Sequence, residues 1–213
     1  MSKKLSRRDF LKVAGLTLAT TTVTCSGLGY AATRVPEVDT PEYVFGKDDA
    51  MNNRVLVTYA TRAGSTSEIA AAIGKSLNER GFTVDVKPVK DKPSLNGYQA
   101  VIMGSAIRMG NWLPEAVDFV KANQSALNAM PVALYTVHML NTGEDETSRN
   151  ARLAYLNNVR PLLTNASEVY FLGKMDFSRI SFFDRLISKM VKAVESDQRD
   201  WVKISQWAKN VLN

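Results

Sequence analysis

The fold of this chain is decided by residues 54–66, which read Arg54-Val55-Leu56-Val57-Thr58-Tyr59-Ala60-Thr61-Arg62-Ala63-Gly64-Ser65-Thr66. The first half is apolar and β-branched, the composition of a buried parallel strand. The second half is a loop, and the residues after it have helical spacing, with Ile69, Ile73 and Leu77 on one face. This order of strand, loop and helix predicts a βα unit whose loop opens the N-terminus of a helix.

The loop has the composition of an anion site. Unpaired backbone N–H groups and the positive end of the helix dipole attract an anion at a helix N-terminus. Gly64 allows the backbone to curl, and the hydroxyls of Thr61, Ser65 and Thr66 can donate to phosphate oxygens. An alternative is that one of these hydroxyls merely caps the helix. The loop lacks the lysine of a P-loop NTPase and the glycine pattern of a dinucleotide site, so it is suited to one terminal phosphate, as in a mononucleotide flavin.

The rest of the chain alternates between strand-like and helical stretches. The strand-like stretches are residues 83–89, 100–105, 132–137 and 168–173, and the helical ones are residues 114–123, 148–163 and 201–212. Residues 83–89 alternate like a half-exposed edge strand. The alternation predicts the α/β class, with a parallel sheet covered by helices on both faces. Ligands of such sheets lie beyond the carboxyl ends of the strands, which brings residues 61–66, residues 105–112 and the stretch after Val137 to one crevice.

Four stretches carry a family resemblance. They are Tyr59-Ala60-Thr61-Arg62-Ala63-Gly64-Ser65-Thr66-Ser67-Glu68-Ile69-Ala70, Gly104-Ser105-Ala106-Ile107-Arg108-Met109-Gly110-Asn111-Trp112, Thr136-Val137-His138-Met139-Leu140 and Phe182-Phe183-Asp184-Arg185-Leu186-Ile187-Ser188-Lys189-Met190-Val191. The first resembles the phosphate loop of flavodoxins. All four together resemble the flavodoxin-like, menaquinone-dependent protoporphyrinogen oxidases. The resemblance runs from Arg54 to the C-terminus.

The resemblance implies a flavodoxin-like three-layer αβα sandwich that binds FMN on a five-stranded parallel sheet of order 2-1-3-4-5. The residues that would hold the phosphate are Thr61, Arg62, Gly64, Ser65 and Thr66. Those that would line one side of the isoalloxazine ring are Ser105, Ala106, Ile107, Arg108, Met109, Gly110, Asn111 and Trp112, and those on the other side are His138, Met139, Leu140 and Asn141.

Several of these side chains have two interpretations. Trp112 could stack on the flavin or pack against the helix that follows it. Arg62 and Arg108 could attract the phosphate or an acidic substrate, or be solvated surface arginines. His138, the only histidine of the chain, could move protons beside the flavin or be structural. A single histidine excludes a multi-histidine metal site, and no metal is expected.

The N-terminus predicts export. Residues 6–12 read Ser6-Arg7-Arg8-Asp9-Phe10-Leu11-Lys12, which resembles a twin-arginine signal, and an apolar, threonine-rich segment too short to span a bilayer comfortably follows. We expect cleavage after Ala31, with lipidation at Cys25 or a retained anchor as alternatives. The predicted location is the periplasm or the outer face of the cytoplasmic membrane, reached already folded through the twin-arginine translocation machinery.

The predicted organisation is a signal peptide (residues 1–31), a linker (residues 32–53) and an FMN-binding domain (residues 54–213). The chain has a net charge of +6, but residues 1–31 hold five lysines and arginines against one aspartate, which leaves the remainder near +2. No basic run or aromatic platform indicates nucleic-acid binding. The only cysteine, Cys25, lies in the signal, so the domain has no disulfide or cysteine nucleophile.

Residues 182–194 resemble a basic amphipathic helix. Phe182 and Phe183 begin an apolar stripe, while Arg185 and Lys189 lie off it. Such a helix can lie on an anionic membrane surface, and the alternative is a helix whose stripe faces the core.

The function expected from these features is that of an FMN-dependent oxidoreductase. It would pass electrons from a reduced donor through FMN to a quinone or a redox partner protein. The alternatives are an exported one-electron carrier and a flavin-binding module without turnover. Export argues against the family's own reaction, because haem synthesis belongs inside the cell.

Overall fold

In a computed structural model of the chain, residues 38–46, 53–180, 185–186 and 194–212 are described. The sheet contains five parallel strands in the spatial order β3-β2-β4-β6-β7, to which two short antiparallel strands are added. They are β2 (Arg54–Ala60), β3 (Thr83–Pro88), β4 (Ala100–Arg108), β6 (Val132–His138) and β7 (Ala166–Leu172). Counted among themselves, these strands have the order 2-1-3-4-5, so the predicted sheet is confirmed.

Helices cover both faces of the sheet, because the central strands β2, β4 and β6 have buried residues on both sides. They are α1 (Ser65–Asn78), α2 (Pro114–Ala122), α3 (Gln124–Asn128), α4 (Glu146–Ala154) and α5 (Trp201–Asn210). One face packs on α1 and α5 through residues such as Ile73 and Ile204. The other face packs on α2 and α3 through residues such as Val120 and Leu127. This is the predicted three-layer αβα sandwich. Among the described residues, no helix has the length and apolar character needed to cross a membrane.

The interpretation of residues 32–53 as a linker is wrong for Tyr43–Phe45, which form strand β1. This strand pairs antiparallel with β3, with Val44 opposite Asp85. Strand β3 is therefore not at the edge of the sheet, and five of its six residues are buried rather than alternating. Residues 1–37, which include the predicted signal, lie outside the described residues.

The helix predicted for residues 148–163 is shorter. Helix α4 ends at Ala154 and is followed by turns and a 3₁₀ segment, Arg160–Leu162. Asn157, Asn158 and Pro161 explain the early end, because asparagine is a poor helix former and proline cannot donate to a helical hydrogen bond. The apolar spacing that predicted a longer helix belongs instead to turn residues such as Leu156 and Val159, which are buried against the sheet.

A two-stranded hairpin follows the sheet. Strand β8 (Lys174–Met175) pairs antiparallel with β9 (Ser196–Asp197), so the chain between them leaves and returns at the carboxyl end of β7. The remaining two-residue strand, β5 (Asn111–Trp112), forms a hairpin with the end of β4. The predicted membrane helix falls between β8 and β9, and apart from Arg185, Leu186 and Val194 it lies outside the described residues. Membrane contact through it stays a prediction.

Candidate functional site

A cavity of about 330 Å³ opens at the carboxyl ends of β2, β4 and β6, where the sheet predicts a ligand. Its lining combines the loops after these strands with residues from the end of β7. The lining residues are Thr61, Arg62, Ala63, Ser65, Ala106, Ile107, Arg108, Met109, Gly110, Val137, His138, Met139, Leu140, Asn141, Tyr155, Gly173, Lys174, Met175 and Ile180.

The loop before α1 is built as an anion cradle. Gly64 is the N-cap with φ of 87°, and no side chain caps the helix among the described residues. The N–H of Gly64 donates to Thr61 Oγ1 at 3.0 Å, and Ser67 Oγ donates to Gly64 O at 2.6 Å. Thr61 and Ser67 therefore hold the loop in shape, and the helix N-terminus remains available to a ligand.

Thr66 provides the most direct sign of a missing partner. Its side chain is fully buried, and its Oγ1 has no hydrogen-bond partner within the described structure. Leaving a buried hydroxyl unpaired costs about 1–3 kcal/mol, so such atoms are uncommon without a reason. Beside it, Ser65 Oγ lies at the cavity wall, 3.6 Å from where a Cβ on Gly173 would be. Ser65 lines the cavity and Thr66, one residue further into the helix, does not, but both hydroxyls sit at the positive end of α1, which fits a phosphate group.

Arg62, which the resemblance assigned to the phosphate, is already paired in this structure. It lines the cavity, but its guanidinium forms a two-pronged ion pair with Glu115 in the first turn of α2, with Nη2 at 2.8 Å from Oε2. A phosphate would have to compete with this carboxylate, and such bidentate pairs are among the strong ones. Arg62 thus joins the phosphate loop to α2 in this structure.

The second wall of the cavity is the turn between β4 and β5. Met109 and Gly110 both have positive φ values, 51° and 75°, and the Met109 side chain is 74% exposed at the cavity mouth. Three residues that the resemblance assigned to this wall are absent from the lining: Ser105, Asn111 and Trp112.

The reasons are visible in their contacts. Ser105 is fully buried, donates to Ala106 O and accepts from the Leu113 N–H at 3.0 Å. Trp112 packs in the core beneath α2 and donates from Nε1 to Thr136 Oγ1 at 2.9 Å. Asn111 is exposed and bonds to Asn158. The structure therefore places Trp112 in the packing position rather than in a position to stack on a ring in the cavity.

The third wall follows β6 and contains His138. The His138 ring is buried, and its Nδ1 lies 2.8 Å from Leu140 O. Because a carbonyl can only accept, Nδ1 carries the hydrogen and Nε2 is left as an acceptor. Burial lowers the pKa of His138 below its usual value, so the ring is neutral at pH 7. A neutral imidazole on a cavity wall is able to accept a proton.

Seven lining residues are not among the predicted site residues. Ala63 and Val137 are sequence neighbours of predicted ones, and Tyr155 lies in the helix predicted for residues 148–163. The other four, Gly173, Lys174, Met175 and Ile180, follow β7. A signal for these four was available. In the order 2-1-3-4-5 the fifth strand lies beside the fourth, so its carboxyl end had to reach the same crevice.

Fold and site together define a class of protein: an α/β protein with a mononucleotide site at the switch point of a parallel sheet. A family model described as a flavodoxin domain matches residues 56–201, and the chain belongs to this family. The cofactor of that family is FMN, and the unpaired Thr66 hydroxyl at the start of α1 fits its phosphate. The chain is thus an FMN-dependent oxidoreductase of the flavodoxin type.

The chain is also similar to individual proteins. Protoporphyrinogen IX dehydrogenase [quinone] of Escherichia coli K12 is 28% identical over 176 residues, covering 75% of this chain and 95% of the relative. The protein of the same name from Leishmania major is 28% identical over 166 residues, covering 73% of this chain and 70% of the relative. Among solved structures, an archaeal flavodoxin matches 74% of this chain and 99% of its own, with 17% identity and a TM-score of 0.44.

Proposed function

We propose that this protein oxidises a reduced organic donor and passes the two electrons through FMN to a quinone. The observation that carries the proposal is the mouth of the cavity. Met109 and Leu140 both line the cavity, on loops that follow different strands, with 74% and 46% of their surfaces exposed. Two large apolar side chains at the entrance of a redox site favour a flat, lipophilic reaction partner over a water-soluble one. The similarity to two quinone-dependent dehydrogenases along most of their length supports the same acceptor.

The protein's own residues would supply binding and proton transfer. FMN supplies the two-electron chemistry when it is bound. The hydroxyls of Ser65 and Thr66 would hold its phosphate at the N-terminus of α1. Overall, two electrons and two protons leave the donor and reach the quinone, so a proton acceptor is required near the donor. His138 suits this role because its buried ring is neutral and its Nε2 is an acceptor.

The test is an anaerobic turnover assay of the FMN-loaded protein with protoporphyrinogen as donor and a menaquinone analogue as acceptor. We expect turnover that depends on the quinone, and reduction of a cytochrome that is slow by comparison. His138→Gln, which keeps a side-chain hydrogen-bond donor but does not titrate, should lower kcat about 100-fold while FMN content is unchanged. Fast cytochrome reduction without quinone turnover would instead indicate the one-electron carrier. The absence of both reactions would indicate a flavin-binding module without turnover.

We also propose export by the twin-arginine route, for which the support is Arg7 and Arg8 directly before Asp9-Phe10-Leu11. Changing both arginines to lysine should retain the protein, folded and yellow, in the cytoplasm, because the translocation machinery reads the pair rather than its charge. Immunoblots of periplasmic and cytoplasmic fractions measure this. Changing Lys3 and Lys4 to arginine is the matched control and should leave export intact. Equal periplasmic amounts of the double-lysine variant and the wild type would refute the route.

A further inference from the structure

The loop after β6 is held by two residues of the segment 146–155, of which Tyr155 also lines the cavity. Arg152 Nη1 donates to Asn141 O at 2.6 Å and to Gly143 O at 2.5 Å. Tyr155 Oη accepts from Asn141 Nδ2 at 2.7 Å and donates to Leu140 O at 3.3 Å. We call Arg152 and Tyr155 the latch. It binds three carbonyl groups and one side-chain amide of a loop whose residues Leu140 and Asn141 line the cofactor cavity.

The latch holds a backbone conformation that the loop would not favour alone. Asn141 has a φ of 58°, in the left-handed region that non-glycine residues seldom adopt. Such conformations persist only when surrounding contacts determine them, and they cluster at functional sites. Here the carbonyl and the amide of Asn141 are each bonded to one member of the latch. The position of Asn141 on the cavity wall is therefore set by the latch.

The same bonds orient the N–H groups of the loop. In a trans peptide the carbonyl and the following N–H point in opposite directions. The carbonyl of Asn141 accepts from Arg152, and that of Leu140 accepts from both His138 Nδ1 and Tyr155 Oη, so the N–H groups of Asn141 and Thr142 point away from these partners. One of these donors, the N–H of Asn141, belongs to a residue that lines the cavity. Arg152 adds a positive charge close behind them, and its side chain is only 13% exposed, whereas its nearest carboxylate, Glu144, is 90% exposed at 3.9 Å.

We infer that the latch sets the reduction potential of the bound flavin, with Arg152 as a positioning residue. FMN bound in the cavity would gain negative charge on accepting two electrons. Fixed N–H donors on the cavity wall and a shielded cation behind that wall would stabilise this charge more than the neutral oxidised ring. Arg152 therefore raises the potential and favours acceptance of electrons from a donor. This inference rests on FMN binding alone and not on the proposed quinone.

The test is the midpoint potential of bound FMN, measured by spectroelectrochemistry on Arg152→Met, with Arg149→Met as the matched control. Arg149 is an exposed arginine on the same helix. A unit charge at about 10 Å and an effective dielectric constant of about 20 changes an equilibrium by roughly tenfold. R152M should thus bind reduced FMN about tenfold more weakly relative to oxidised FMN, which lowers a two-electron potential by about 30 mV. R149M should keep the wild-type potential.

An unchanged midpoint potential in R152M would contradict the inference. A potential of R152M that equals that of R149M would overturn the inference, even if turnover fell. If R152M does not fold, Arg152→Lys replaces it, because lysine keeps the charge but cannot hold the carbonyls in the same fork. A lowered potential in R152K supports positioning by the guanidinium, whereas a wild-type potential in R152K would show that only the charge of Arg152 acts, which overturns its assignment as a positioning residue. A failure of quinone turnover in the wild type would not affect this measurement.

Discussion

The double variant Ser65→Ala/Thr66→Ala is expected to bind FMN at least about 100-fold more weakly than the wild type. Both hydroxyls lie at the N-terminus of α1, and Thr66 Oγ1 is buried without a partner in the described structure. Hydrogen bonds to charged groups contribute about 1.5–3 kcal/mol each, or about tenfold or more in affinity for each hydroxyl. Fluorescence titration of the apoprotein with FMN measures the dissociation constant directly.

A serine at the other end of the same helix provides the control. Ser76 is buried, and its Oγ lies 3.0 Å from Ser205 Oγ on α5. Ser76→Ala should lower the free energy of unfolding by about 1 kcal/mol without changing FMN affinity. A wild-type dissociation constant in the Ser65/Thr66 double variant would show that the phosphate binds elsewhere. An equal loss of affinity in S76A would show that the effect is one of helix stability.

The sequence was sufficient for the βα unit and for the order of the sheet, because both depend on local patterns. A strand-like run, a hydroxyl-rich loop with Gly64 and an apolar helical stripe occur consecutively, and each stretch agrees with its neighbours. The crevice then follows from the strand order. Strand β1 was not predicted, because its three residues lie among prolines and charged residues and show no periodicity. Only its pairing with β3 makes this segment a strand.

Side-chain roles were predicted less well, because they depend on partners far away in the chain. Arg62 pairs with Glu115, 53 residues later, so the charge of Arg62 is already neutralised by a carboxylate. Trp112 is adjacent to the site in sequence, but strand alternation turns it into the core, where Thr136 accepts its N–H. The latch residues Arg152 and Tyr155 were unrecognised for the same reason, since their function lies in bonds to residues 140–143.

The variant Gly104→Ala is expected to lower the free energy of unfolding by about 3 kcal/mol or more. Gly104 on β4 lies directly opposite Tyr135 on β6, and a Cβ there would be 1.9 Å from Tyr135 Cζ. The Tyr135 ring cannot move aside, because it is fully buried against neighbours that include Phe171. Overpacking of a core costs about 1–3 kcal/mol and occasionally more. Urea unfolding followed by circular dichroism measures the loss.

A second background separates steric overlap from a general intolerance of alanine in β4. Tyr135→Ala by itself should cost about 3–5 kcal/mol through the cavity that it leaves. Adding Gly104→Ala to it should cost little or nothing, because the methyl group then enters that cavity. The double-mutant cycle would thus give a coupling of about 3 kcal/mol between the two positions. Gly97→Ala is the control without a steric clash, because nothing lies within 4 Å of the added Cβ. Since φ at Gly97 is 82°, we expect a cost of only about 1 kcal/mol from backbone strain. If Gly104→Ala costs the same with and without the tyrosine ring, the close approach of Gly104 to Tyr135 is not what requires glycine here.

Because β4 leads directly into the turn that forms the second wall of the cavity, a confirmed overlap would also explain weaker FMN binding in Gly104→Ala, and Tyr135→Ala should then restore that binding in part.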